Sequence, residues 1–149
     1  MKTQNEIISG VDDLIEVCNE RKEGYEKAAE NVKDLNMKIL FEKYAQQSFM
    51  FSQELLHFTD KNTAKEIGTR FIADSWRVWM DIKSALTNRS EKAILEACIA
   101  VEEVAIRNYK EVLEDNNLTN DIRNIVEKQL SKIVHATTIT ELAKTRASK

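Results

Sequence analysis

VDDLIEVCNERKEGYEKAAENV, residues 11–32, is the stretch that decides the fold. Its apolar positions are Val11, Leu14, Ile15, Cys18, Tyr25, Ala28, Ala29 and Val32, with Ile8 just upstream. They recur in steps of three and four, which places them on one helix face. Lys22 falls on the same line, and Gly24 sits mid-helix, where it costs about 1 kcal/mol relative to alanine and suggests close helix packing. A second stretch, ILEACIAVEEVAIRNYKEV, residues 94–112, repeats the pattern, with Ile94, Cys98, Val101, Glu102, Ala105, Tyr109 and Val112 inward. In both, a tyrosine stands seven residues after an interior polar position: Tyr25 after Cys18, and Tyr109 after Glu102. The two pairs are offset by 84 residues.

Working outward, the first helix is expected from about Asn5 to Val32. Asp34 or Asn36 can cap a second, reaching about Thr59, with the stripe Met37, Phe41, Tyr44, Ser48, Phe51, Leu55 and Phe58. Asp60-Lys61-Asn62-Thr63 reads as a break, and a shorter helix follows from about Thr69 to Leu86, carrying Ile72, Trp76, Trp79, Ile82 and Lys83. After Thr87-Asn88-Arg89, Ser90 caps a third long helix to about Asp115. Thr119 or Asn120 caps a last one to about Thr145, with Ile122, Ile125, Val126, Gln129, Ile133, Ala136, Ile139 and Ala143 inward. Short links join the first pair and the last pair, so each pair forms an antiparallel hairpin. The middle link is long. At the 84-residue offset Val11 meets Leu95, Phe41 meets Ile125, Leu55 meets Ile139, and Glu30 and Asn36 are identical to Glu114 and Asn120, so the hairpins match.

The bulk numbers agree with this reading. A chain of 149 residues is long enough for one domain, 1–149, with a proper core. No proline and only three glycines favour long helices over a turn-rich sheet. A net charge of −3 with mixed signs leaves no basic footprint for nucleic acid. The opening MKTQNEIISG has no apolar signal core and no apolar run approaches membrane-spanning length, so a cytoplasmic protein without a membrane partner is expected. In that compartment Cys18 and Cys98 are expected as buried thiols rather than a disulfide.

Four long helices with one long crossover resemble the ferritin-like superfamily: an all-α, up-down four-helix bundle whose crossover here carries a short extra helix. In the metal-binding members of that superfamily, the first and third helices each give a glutamate and the second and fourth each give Glu-x-x-His. Two iron or manganese ions require several hard anionic ligands plus nitrogen donors around one cavity. On this alignment the ligand positions hold Cys18, then Ser48 and Phe51, then Glu102, then Gln129 and Lys132. One carboxylate cannot hold two metals, so no cofactor is expected. Glu54-Leu55-Leu56-His57 is a literal Glu-x-x-His, but both end residues fall off the Phe51/Leu55/Phe58 stripe. The remaining metal alternative, an iron or manganese site, would gather Glu54, Glu102 and His135. The interior polar cluster to test is therefore Cys18, Lys22, Tyr25, Glu102, Tyr109, Gln129 and Lys132, with Lys132 or Lys22 as counter-charge to Glu102, because an unpaired buried carboxylate is costly. The alternative for Glu102 is a place at the core margin, reaching water.

The runs DLIEVCNERKEGYEKAAENVKDLNMKILFEKYAQQS, WRVWMDIKSALTNRSEKAILEACIAVEEVAIRNYKEVL and IRNIVEKQLSKIVHA resemble a bacterial family of uncharacterised ferritin-like four-helix-bundle proteins. That resemblance covers most of the chain. It implies a small cytoplasmic bundle, sometimes placed near stress proteins, and supplies no activity. The expected role is that of a non-enzymatic, metal-free protein acting through its surface as a homo-oligomer, a dimer first, or on another partner. The competing roles are a remodelled metal-dependent oxidase or iron-handling protein, and a small-molecule binder using the space around Cys18, Tyr25, Phe51, Glu102 and Tyr109.

Overall fold

The computed structural model describes residues 4–59 and 90–147, with side chains from residue 10 onward and through 146. Those residues form four long helices and no strand: α1 (Gln4–Asn31), α2 (Leu35–Leu56), α3 (Glu91–Leu113) and α4 (Asn120–Ala147). The helix expected at 69–86, with Trp76 and Trp79, lies outside the described residues, as do the side chain of Ile8 and the polar breaks on either side of that helix. Each helix ends within about three residues of its expected limit, the usual scatter for fraying ends.

The starts are set by local chemistry. Asp34 accepts the amide of Met37 (3.1 Å), Ser90 that of Ala93 (3.3 Å) and Thr119 that of Ile122 (3.3 Å), so each satisfies one of the orphan donors of a first turn. The turn from α3 to α4 is tied by Arg123. Its guanidinium donates to the carbonyl of Leu113 (3.1 Å), at the C-terminus of α3, and to that of Asp115 (2.7 Å) just beyond it, which also accepts the Leu118 amide.

α1 packs on α2 and on α3, α3 on α4, and α2 more lightly on α4. The side-chain contacts run in opposite directions along each neighbouring pair. Tyr25 stacks near Phe41 and Tyr44, whereas Arg21 meets Ser48 further along α2. Cys18 meets Tyr109 while Tyr25 meets Glu102.

The apolar interior falls into two clusters. One joins Val11 to Cys18, Phe51, Leu55, Ala105 to Val112, and Leu118 to Ile133. The other joins Tyr25 to Ala29, Phe41 to Ala45, Ile94 to Val101, and Ala136. Between them, on three helices, stand Arg21, Ser48 and Glu102, each without exposed surface. A polar layer thus crosses the waist of the core.

Because Phe41 is fully buried, Phe41→Ala should lower stability by about 3–5 kcal/mol. Lys38→Ala on the exposed side of the same helix should stay within about 0.5 kcal/mol. Denaturant melts of the two variants check this, and a Phe41→Ala midpoint close to the parent would contradict the described core.

Candidate functional site

The waist layer is built around one ion pair. Arg21 Nε donates to Glu102 Oε1 at 2.6 Å and Nη2 donates to Oε2 at 3.0 Å, a two-pronged geometry between two fully buried side chains. The planar guanidinium fork matches a carboxylate in this way and a lysine ammonium does not. The third arm, Nη1, donates to Ser48 Oγ at 2.7 Å, and that hydroxyl passes its own proton back to the Tyr44 carbonyl at 3.0 Å. Tyr25 Oη–H donates to Glu102 Oε2 at 2.9 Å. The carboxylate therefore accepts three charge-assisted hydrogen bonds. Aromatic rings close the rest of the shell, with the guanidinium carbon 5.3 Å from the Tyr25 centroid, 5.8 Å from Tyr44 and 6.0 Å from Phe51.

A second chain of hydrogen bonds starts one turn away, at Cys18. Its sulfur lies 3.2 Å from Tyr109 Oη, and Tyr109 Oη lies 2.6 Å from Gln129 Oε1. The amide oxygen can only accept, so Tyr109 donates to Gln129 and the Cys18 thiol donates to Tyr109. Gln129 Nε2 donates onward to Glu54 Oε1 at 3.1 Å and to the Phe51 carbonyl at 3.3 Å. This chain takes one member from each of α1, α3, α4 and α2, and it ends on the half-buried Glu54.

Electrostatics follow from burial. Burial pushes the Cys18 thiol up to about 12, against the smaller opposing pull of its bond to Tyr109. Burial raises the Cys98 thiol as well, and then the Glu102 charge adds to it. Tyr25 and Tyr109 are held well above the usual phenol range, first by burial and then by Glu102 and Cys18 respectively. For Arg21 burial opposes the charge, but the adjoining Glu102 outweighs it and leaves the guanidinium more firmly protonated than usual. The site holds one fixed cation, one fixed anion and four groups kept protonated.

Five of the residues singled out from sequence lie in this interior: Cys18, Tyr25, Glu102, Tyr109 and Gln129. Lys22 and Lys132 do not. Lys22 is half-exposed and pairs with Glu26 at 2.7 Å, one turn along the same helix, and Lys132 is exposed on α4. The counter-charge to Glu102 is Arg21, which the periodicity left unselected. Residues 21 and 22 stand three and four after Cys18, and both steps return to the same face. Two signals could have chosen between them. Glu26 follows Lys22 by four, the spacing of a surface pair, and arginine is the better partner for a buried carboxylate.

The Glu-x-x-His run is also resolved. His57 is exposed and Glu54 is held by Gln129, while His135 is exposed on α4. Among the described residues no three His, Cys, Asp or Glu side chains gather into a group that could hold a metal ion.

The stretch that carries these pairs, and most of the chain around it, has a family. A model for a domain of unknown function (DUF2383) matches residues 6–115. The chain belongs to that family. No curated protein and no solved structure matches it. The matched residues include α1 from residue 6 onward and all of α2 and α3, and therefore every atom of the Arg21–Glu102–Ser48–Tyr25 network. Gln129, the α4 end of the second chain, lies beyond them. Among the described residues no helix is long and apolar enough to cross a membrane.

Removing either member of the ion pair strands a buried charge. Glu102→Ala and Arg21→Ala should each cost about 3–5 kcal/mol, while the double variant Arg21→Met/Glu102→Leu should lose less than the two singles together. Chemical denaturation of the four proteins gives the coupling directly, and additive losses would argue against a shared network.

The thiols give a second check. Their ionisation is held up in the folded chain, so their contribution is fully present below the ordinary thiol range, about 8.5, and that of Cys18 is lost as pH rises toward about 12. Stability should accordingly decline over that alkaline interval. At pH 8 alkylation of Cys18 and Cys98 should proceed only as fast as the protein opens. Rapid labelling of native protein would contradict the burial.

Proposed function

We propose that this protein is a ferritin-like four-helix bundle in which a built-in guanidinium stands where metal-binding members of that superfamily gather ions. In this reading it is a non-enzymatic protein that works through its surface. The helix directions support the topology. α2 ends beside the early turns of α4, through Glu54 and Gln129, while α3 begins beside the far end of α1, through the cluster of Tyr25 with Ile94 and Leu95. The two ends joined by residues 57–90 thus lie at opposite ends of the assembly, as a full-length crossover requires.

The observation that carries the proposal is the Arg21–Glu102 pair. Glu102 is the one carboxylate left at the ligand positions read from sequence, and three hydrogen bonds already engage it. A divalent ion needs several hard anionic ligands. Around Glu102 stand a guanidinium, a phenol, a serine hydroxyl and, further off, a protonated thiol and an amide. These residues do not fit iron or manganese, and a fixed cation among them repels a second one. The free, buried thiols Cys18 and Cys98 fit a reducing compartment, which supports a cytoplasmic location.

Metal analysis of protein produced with iron, manganese and zinc each supplied tests the reading. No stoichiometric binding of any of the three is expected. Two tightly held ions per chain, lost in Glu102→Ala, would overturn it.

A further inference from the structure

The two ends of the bundle are finished differently. Where α3 turns into α4, buried Leu118 and Ile122 close the core and Arg123 ties the backbone. At the other end, where α2 and α3 begin and α4 finishes, there is a cavity of about 450 Å³. Met37 and Leu40 of α2 and Ile139, Leu142 and Ala143 of α4 give it an apolar wall. Met37, Leu40 and Ala143 pack against the core cluster of Tyr25 and Phe41 and stay partly exposed, so the wall is the open end of that cluster. Its volume falls among those of small-molecule sites, about 300–1,000 Å³. An apolar body seated there releases water from surface that the fold leaves uncovered.

Three charged side chains share the lining: Asp34, Glu91 and Arg146. Asp34 is engaged in part, because its carboxylate holds the Met37 amide. Glu91 and Arg146 are not engaged. Among the described residues neither makes a hydrogen bond or an ion pair, with the other or with a third group. Opposite charges that line one cavity without meeting select a ligand that carries both. A lone carboxylate is drawn to Arg146 and repelled by Asp34 and Glu91. A lone ammonium is drawn to the two acids and repelled by Arg146. A zwitterion meets an opposite charge at each of its poles.

We propose that this open end of the bundle binds a small zwitterion with an apolar body, the chemical class of the free aromatic and branched-chain α-amino acids. The apolar body lies on Met37, Leu40 and Ile139, the ammonium faces Glu91 and the carboxylate faces Arg146. The proposal rests on the reading that the protein is non-enzymatic and works through its surface, and it names the class of ligand. Arg146 is exposed and Glu91 half-buried, so each ion pair is partly screened and binding is weak, with a Kd of about 1 mM.

The test is a titration of the full chain followed by heteronuclear amide NMR, with three probes that share one ring: phenylalanine, phenethylamine and 3-phenylpropionate. Phenylalanine should move the amides of Met37, Leu40, Glu91 and Ala143 together, and the two singly charged probes should each bind about five-fold more weakly or worse. Two variants read the poles separately, with circular dichroism confirming that their helices are kept. Glu91→Gln should weaken phenylalanine about five-fold and leave phenylpropionate no weaker. Arg146→Gln should weaken phenylalanine as much and leave phenethylamine no weaker. Leu142→Cys should alkylate rapidly in the ligand-free chain, and slow labelling would overturn the proposal by showing that the chain itself covers the cavity. It would also be overturned by no shift with phenylalanine at tens of millimolar, by shifts that avoid this end of the bundle, or by a singly charged probe that binds as tightly as phenylalanine. The outcome is separable from the metal analysis: a metal-free chain that ignores all three probes defeats the cavity site and leaves the surface reading standing, and a metal-loaded chain that binds phenylalanine does the reverse.

Discussion

The structure depends on keeping one guanidinium and one carboxylate out of water together. An arginine and a glutamate without exposed surface would each carry a desolvation penalty of several kcal/mol. Their attraction offsets this only if the geometry is good and the remaining donors and acceptors are satisfied. Here Arg21 reaches Glu102 with two nitrogens and Ser48 with a third, and Tyr25 supplies Glu102 with another donor. These requirements fix positions on α1, α2 and α3 at once. A slide of one helix by a turn would break the fork and leave two charges unpaired, whereas a purely apolar waist would tolerate several registers at similar energy. The two apolar clusters on either side supply the driving force, and the polar layer selects one alignment of the helices that carry it.

The tyrosines give that layer a reciprocal form. Tyr25 on α1 bonds Glu102 on α3, and Tyr109 on α3 bonds Cys18 on α1. Each phenol therefore reaches across to the position that lies seven residues before the other phenol. In an antiparallel pair this exchange is what a local two-fold axis produces, and the 84-residue offset is its imprint on the sequence. The symmetry is broken in chemistry. One crossing ends on a carboxylate held by Arg21, the other on a neutral thiol. Gln129 then extends the neutral arm to Glu54, so α4 enters through hydrogen bonds between uncharged groups and a peripheral carboxylate.

Much of this was legible in the residues. The three-four spacing, the absence of proline and the capping residues Asp34, Ser90 and Thr119 located four helices to within about a turn. The same spacing put Cys18, Tyr25, Glu102, Tyr109 and Gln129 inward, because each sits near the centre of its stripe. It failed at Arg21, because the step from Cys18 to Tyr25 can be divided as three plus four or as four plus three. Hydrophobicity cannot choose between an arginine and a lysine side by side. Lys132 failed for a related reason: an alignment to ligand positions takes the residue three after Gln129, whereas the core line on α4 steps four, to Ile133. Which charge goes inside is decided by the shape of the fork and by competing surface partners, and both become visible only when the helices are paired.

A buried, fully engaged ion pair also constrains where function can lie. Chemistry on a substrate needs groups with open valences: a base with a free lone pair, a nucleophile near its own pKa, or a cation without a counter-ion. At this waist the cation is paired, and the thiols and phenols are pushed away from the range in which they would react at neutral pH. The interior groups are thus engaged in holding the helices in register. Rigid, correctly registered helices present fixed outer faces, and α2 shows the consequence. Its inner side is set by Phe41, Ser48 and Leu55, so Leu35, Ile39 and Met50 have no route to the core. The same alignment that buries Arg21 therefore leaves an ordered apolar and charged stripe on the outside of this helix.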